Sequence, residues 1–201
     1  MRDEILERFR SNIARANNLV AIYRIQGGGP RRGRRPVHSS DILRAAVVFV
    51  HAALEESFRA IYLWKTPHAS ENVLNSVPLI GCSRNEKFSL GRLAPYRNKT
   101  IQELIAMSVN DQAQMLSVNN ASDIANLIQQ FGLRSQDYDP TPIIPMIQRR
   151  HHIVHQTDRS ENRGVGHQAV RSLSYGTVQA WISAVSDFVE AILRDVPDDL
   201  L

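Results

Sequence analysis

A chain of 201 residues with 43% apolar and 22% charged side chains lies close to globular averages, which excludes wholesale disorder and implies one domain with its own core. The formal net charge is +4, and every basic side chain except Lys65, Lys87 and Lys99 is an arginine, a balance that suits phosphate-bearing partners but proves none. Cys82 stands alone, which excludes an internal disulfide and a cysteine zinc site. No run approaches the roughly 18 apolar residues of a membrane span, and Met1-Arg2-Asp3-Glu4 leads into no signal-type core, so the expectation is a cytoplasmic protein with no membrane contact.

In chain order, Ile5, Phe9, Ile13, Ala16, Val20 and Tyr23 recur at helical spacing and predict an amphipathic helix over about 3–25. Gly27-Gly28-Gly29-Pro30 stops it and opens a basic loop within about 26–38. Arg31 and Arg32 head that loop, which reads either as a solvated linker or as an arm that grasps phosphates without base stacking. Ser39-Ser40-Asp41 marks the start of a second helix, to about 64, apolar on nearly every side and therefore buried. Its His51, Glu55 and Glu56 read as hydrogen-bonded core or groove residues, since buried polar groups are normally paired.

Residues 65–99 are broken by Pro67, Pro78, Pro95, Gly81 and Gly91, which predicts loops and one short helix near 70–76. Thr100 and Glu103 form a capping-box pattern before a helix to about 117. Ser122 begins a shorter helix that Gly132 ends. Asp139-Pro140 opens a helix over about 140–157, a polar loop from Arg159 to Gly166 follows, and a last helix over about 175–195 carries a stripe of Val178, Trp181, Ile182, Val185, Phe188, Val189, Ile192 and Leu193. With no strand-like alternation, the fold class is all-α.

Within that order, Arg149-Arg150-His151-His152-Ile153-Val154-His155 concentrates three of the seven histidines in seven residues, directly after the apolar Ile143-Ile144-Pro145-Met146-Ile147. A helix anchored on one side that then presents Arg and His is more than a solvated charge run. The guanidinium fork matches phosphate oxygens, and a neutral imidazole accepts a hydroxyl proton, the two capacities that phosphodiester cleavage needs without a metal. Arg150 and His155 are five positions apart, about 140° around a helix. Either the helix ends near His155, or a second copy of the motif faces the first across a two-fold axis.

The string Arg150-His151-His152-Ile153-Val154-His155 resembles the R-x4-H motif of the HEPN superfamily, and Arg149-Arg150-His151-x-Ile153-Val154-His155 resembles its RiboL-PSP-HEPN-type branch. The likeness is strongest over 140–160. It implies a small HEPN-like helical bundle, a homodimer, and a metal-independent endoribonuclease of toxin–antitoxin, anti-phage or RNA-processing type, with RNA as partner and, for a toxin, a neutralising antitoxin protein. It implies catalytic Arg150 and His155, with His151 where the family commonly has another polar residue, often Asn. Arg149, His152 and Arg159 are the expected RNA contacts beside them, with Arg31 and Arg32 in the arm. No metal or other cofactor is expected.

Three other readings stand beside this one. His151 and His155 are i, i+4 on one helical face, which is zinc-ligand spacing, but neither an HExxH motif nor a cysteine pair completes a site. The motif helix also reads as a structural dimerisation element. Finally, the arginine cluster reads as part of a module that binds RNA without cutting it.

Overall fold

The computed structural model describes residues 1–26, 37–83, 89–156, 158 and 170–198, with side chains from Ser40 onward in the second segment. The basic loop with Arg31 and Arg32, and the loop with Arg159, lie outside the described residues. The fold is all-α, with no β-strand among the described residues. Helix α1 spans Arg2–Ile25, α2 Val37–Lys65, α3 Glu71–Leu74, α4 Ile101–Gln114, α5 Ala121–Gln130, α6 Ile144–Gln156 and α7 Tyr175–Asp195. Short 3-10 turns at Thr66–His68, Leu90–Tyr96 and Ser135–Asp137 complete the order.

The long apolar α2 is the central element and touches α1, α4, α5, α6 and α7. Its Leu43, Val47, Val50, Leu54, Phe58 and Ile61 are buried, each removal of such a side chain from water contributing about 1.5–3 kcal/mol. Phe58 stacks on Phe188 of α7 at 6.4 Å and meets Phe131 at 5.6 Å between ring centroids, so one residue ties three elements together. All six apolar residues that predict α1 are buried in it. On α7 the expected stripe is buried as well, with Trp181 at its half-buried margin.

Several helix ends follow from single residues. Thr100 and Glu103 cap α4 reciprocally, as their spacing implies. Gly132, at φ +82, takes the left-handed position that ends α5, and the amide of Leu133 closes back on the Ile128 carbonyl. Two starts differ from expectation. α5 is capped by Asn120, whose side chain accepts from the Asp123 amide, and not by Ser122. α2 begins at Val37, ahead of Ser39-Ser40-Asp41, and inside the helix Ser40 and Asp41 instead accept hydrogen bonds from Arg44 at 2.6 and 3.2 Å.

α6 is docked by a buried ion cluster. Asp158, 1% exposed, sits just past the helix at φ +54, in the left-handed region where Asp and Asn are the usual non-glycine residues. Its amide donates to the His152 carbonyl at 3.0 Å, closing the end of α6. Its carboxylate accepts from Arg44 Nε of α2 at 2.7 Å and from Arg149 Nη2 of α6 at 2.8 Å. Arg149 Nε stands a further 2.8 Å from the other carboxylate oxygen. The two arginines also donate to the Arg171 carbonyl at 2.7 and 3.0 Å, and the Arg171 amide donates to the Asp158 carbonyl at 2.9 Å. One carboxylate therefore joins α2, α6 and the chain leading into α7.

Taking one member from a buried ion cluster leaves the others desolvated and unpaired, a loss of about 3 kcal/mol or more. Asn tolerates the same backbone conformation, so Asp158→Asn removes the charge without forcing the turn. Its thermal midpoint is expected to fall by roughly 6–12 °C for a chain of this size. A midpoint within a degree of wild type in differential scanning calorimetry would contradict the clamp.

Candidate functional site

The motif lies on α6, whose buried side is set by Met146 and Ile147 and whose opposite side faces solvent. α6 stays helical through Gln156, so His155 is inside its last turn and the angle of about 140° between Arg150 and His155 stands. His151 and His155 are exposed and lie side by side, with ring centroids 4.7 Å apart and planes inclined by 44°. Val154, in the same stretch of the helix, is 49% exposed. His152 is half-buried and turns away toward Gln156, its Nδ1 lying 2.5 Å from the amide oxygen. Of the three histidines, then, two share a surface and the third does not.

The two arginines also part company. Arg149, expected at an RNA backbone, has its guanidinium engaged within the chain by Asp158 and by the Arg171 and Ser172 carbonyls. Arg149 is a structural clamp. Arg150, one position and about 100° further round, is half-buried, and its buried Nε has no hydrogen-bond partner among the described residues. A buried guanidinium donor without a partner is costly, and Arg149 Nε, close to Asp158 but without hydrogen-bond geometry, shares that condition.

Arg150 also acts through its charge on Glu55 of α2, as the smallest of several influences there. Burial pushes the Glu55 carboxyl up, but His51, the Val118 amide and Arg150 together hold it below the ordinary carboxylate range. Glu55 Oε1 accepts from the Val118 amide at 3.3 Å, and Oε2 lies 3.4 Å from His51 Nδ1. His51, 1% exposed, reaches the Val118 carbonyl with Nε2 at 3.1 Å. Arg59, one turn further along α2, donates to the Ala113 carbonyl at 3.1 Å. His51, Glu55 and Arg59, at i, i+4 and i+8, thus form one row that binds the end of α4 and the chain leaving it. Glu56, on the next face, pairs with Arg8 of α1 at 3.4 Å.

Sequence reasoning missed Asp158 as a structural residue. The signal was faint, since one of its partners, Arg44, lies 114 positions away. Two cavities, of about 270 and 320 Å³, lie elsewhere, the first beside Lys65, Phe131 and Pro197 and the second beside Arg15, Phe49 and Glu56. No group of three His, Cys, Asp or Glu side chains suited to a metal occurs among the described residues. No helix among them is long and apolar enough to cross a membrane.

Compared with known proteins, the chain matches no family model, no curated protein and no solved structure. The likeness to the HEPN superfamily therefore rests on the residues of α6.

The lowered Glu55 carboxyl has a consequence for stability. A group ionised more readily in the folded state contributes stability that is present above its unfolded value and lost as pH falls through the folded one. On acidification from neutral pH to below about pH 4, the thermal midpoint of wild type should fall further than that of Glu55→Gln. Parallel curves for the two proteins would show that Glu55 gains nothing from His51, Val118 and Arg150.

Proposed function

We propose that the chain is a metal-independent endoribonuclease of HEPN type, its site completed where α6 of one copy meets α6 of a second. The observation that carries this reading is the division of labour on α6. A half-buried arginine with an unpaired Nε lies within charge range of Glu55, while an imidazole pair stands exposed on another face of the same helix. Arg and His separated by about 140° do not converge from a single helix, but a two-fold axis passing near Val154 brings the arginine of each copy toward the histidines of the other. The exposure of Val154 supports the same contact, because its burial between copies is favourable.

In this reaction His155 takes the proton from the RNA 2′-hydroxyl, and the 2′-oxygen attacks the adjacent phosphorus. The phosphorus–O5′ bond breaks, and His155 of the second copy protonates the departing 5′-oxygen. Arg150 stabilises the charge developing on the phosphoryl oxygens, with Glu55 fixing its approach from α2. His151 orients the phosphate or the neighbouring ring. The products are a 2′,3′-cyclic phosphate and a 5′-hydroxyl, and DNA, lacking the attacking hydroxyl, is inert. His152 is left a supporting part at the margin of the RNA path. An activity of this kind suits a toxin or anti-phage effector held in check by a neutralising protein.

The test is cleavage of a structured RNA in EDTA by wild type, Arg150→Ala and His155→Ala, each with its mass in solution measured. A positioned acid or base contributes about 10²–10⁴-fold, so His155→Ala should cut at least about a hundredfold more slowly while remaining a folded dimer. No cleavage by wild type, together with monomeric variants, would make α6 a dimerisation element. RNA binding without cleavage would make the chain an RNA-holding module.

A further inference from the structure

We infer that His151 and His155 form a two-imidazole clip for a borderline transition-metal ion, and that an ion bound there blocks the site. The inhibitory part rests on the ribonuclease reading; the binding part does not. Two imidazoles on one ion, each nitrogen about 2.0–2.1 Å from the metal, hold their ring centroids roughly 4.5–5 Å apart for ligand angles between square-planar and tetrahedral. The His151 and His155 rings are 4.7 Å apart on the exposed face of a regular helix. The terminal torsion of histidine is broad, so turning nitrogens toward a shared ion asks little of the helix.

The surroundings define what such an ion is. Two histidines leave the remaining positions on such an ion to water, and no third His, Cys, Asp or Glu is grouped with them among the described residues. That is an open and exchangeable site, unlike the closed four-ligand sites that hold structural zinc. Imidazole nitrogen selects copper, nickel and zinc over magnesium and manganese, whose preference is for oxygen. His152, although adjacent in sequence, is a poor third ligand: its Nδ1 is turned to Gln156, and its ring centroid lies 6.2 Å from that of His151. The ion is thus an inhibitor that takes the electron pair His155 needs for proton transfer, and no cofactor of the reaction.

Calorimetric titration of the full chain with Zn²⁺, Cu²⁺ and Mg²⁺ in a non-chelating buffer tests the clip without reference to activity. Wild type should take one Zn²⁺ or Cu²⁺ per chain, Cu²⁺ more tightly, and no Mg²⁺. His151→Ala and His155→Ala should each weaken binding by roughly tenfold or more, with helicity unchanged because both side chains are exposed, while His152→Ala should bind as wild type does. Equal binding by wild type and His151→Ala, or equal loss in His152→Ala, would overturn the clip. RNA cleavage by wild type should then fall over the same Zn²⁺ range in which the clip fills and return on adding EDTA; cleavage undiminished with the clip full would overturn the inhibition. Absence of cleavage in EDTA alone would count against the ribonuclease reading and leave the binding result intact.

Discussion

The position of α6 depends on the carboxylate of Asp158. Two guanidinium groups converge on it from α2 and α6, and both also donate to the Arg171 carbonyl. Such a cluster is a weak source of net stability, because desolvating three charges offsets much of their attraction. Its effect is on uniqueness. Apolar contacts at Met146 and Ile147 are non-directional, whereas the hydrogen bonds from Arg44 and Arg149 to Asp158 are directional and favour this setting of the helix. The left-handed turn at Asp158 belongs to the same constraint, since it aims the carboxylate back under the helix that it has just left.

That constraint gives two adjacent arginines different properties. Arg149 and Arg150 are indistinguishable by composition, and both follow the same apolar run. A rotation of about 100° between them sends Arg149 to Asp158 and Arg150 toward Glu55. Asp158 accepts a hydrogen bond from Arg149 Nη2, with Arg149 Nε 2.8 Å from its other oxygen. Glu55 is divided among His51, the Val118 amide and Arg150, and leaves Arg150 Nε open. A guanidinium that is held by charge but not saturated with hydrogen bonds retains the capacity to accept an oxyanion. The row His51-Glu55-Arg59 extends this support into the scaffold, because the same residues satisfy the chain leaving α4.

What the sequence made legible was whatever repeats locally. The stripes of α1 and α7 and the Thr100–Glu103 cap are periodic or short-range, and each is present where spacing places it. The start of α2 was misread because Ser40 and Asp41 resemble a cap but serve Arg44 one turn later, inside the helix. Ser122 likewise resembles a cap, but the side chain that caps α5 is that of Asn120, and which of two such residues caps turns on backbone geometry. In the motif, the helix and the clustering of His151 with His155 follow from i, i+4 spacing. The role of Arg149 does not, because Asp158 lies nine positions on, past the end of the helix, and Arg44 is more than a hundred residues back. Long-range ion pairing leaves no periodic trace.

The phase of α6 then decides what the motif can be. A site confined to one chain would require Arg150 and His155 on a common face, which five residues of regular helix do not provide. A π-bulge or an early end to the helix would have brought them together, yet α6 continues through Gln156 and is closed beyond it by the Asp158 amide. The clamp that fixes the arginine side of α6 against α2 therefore also fixes the histidines outward. On one copy of α6, Arg150 and His155 therefore stand on different faces of the helix.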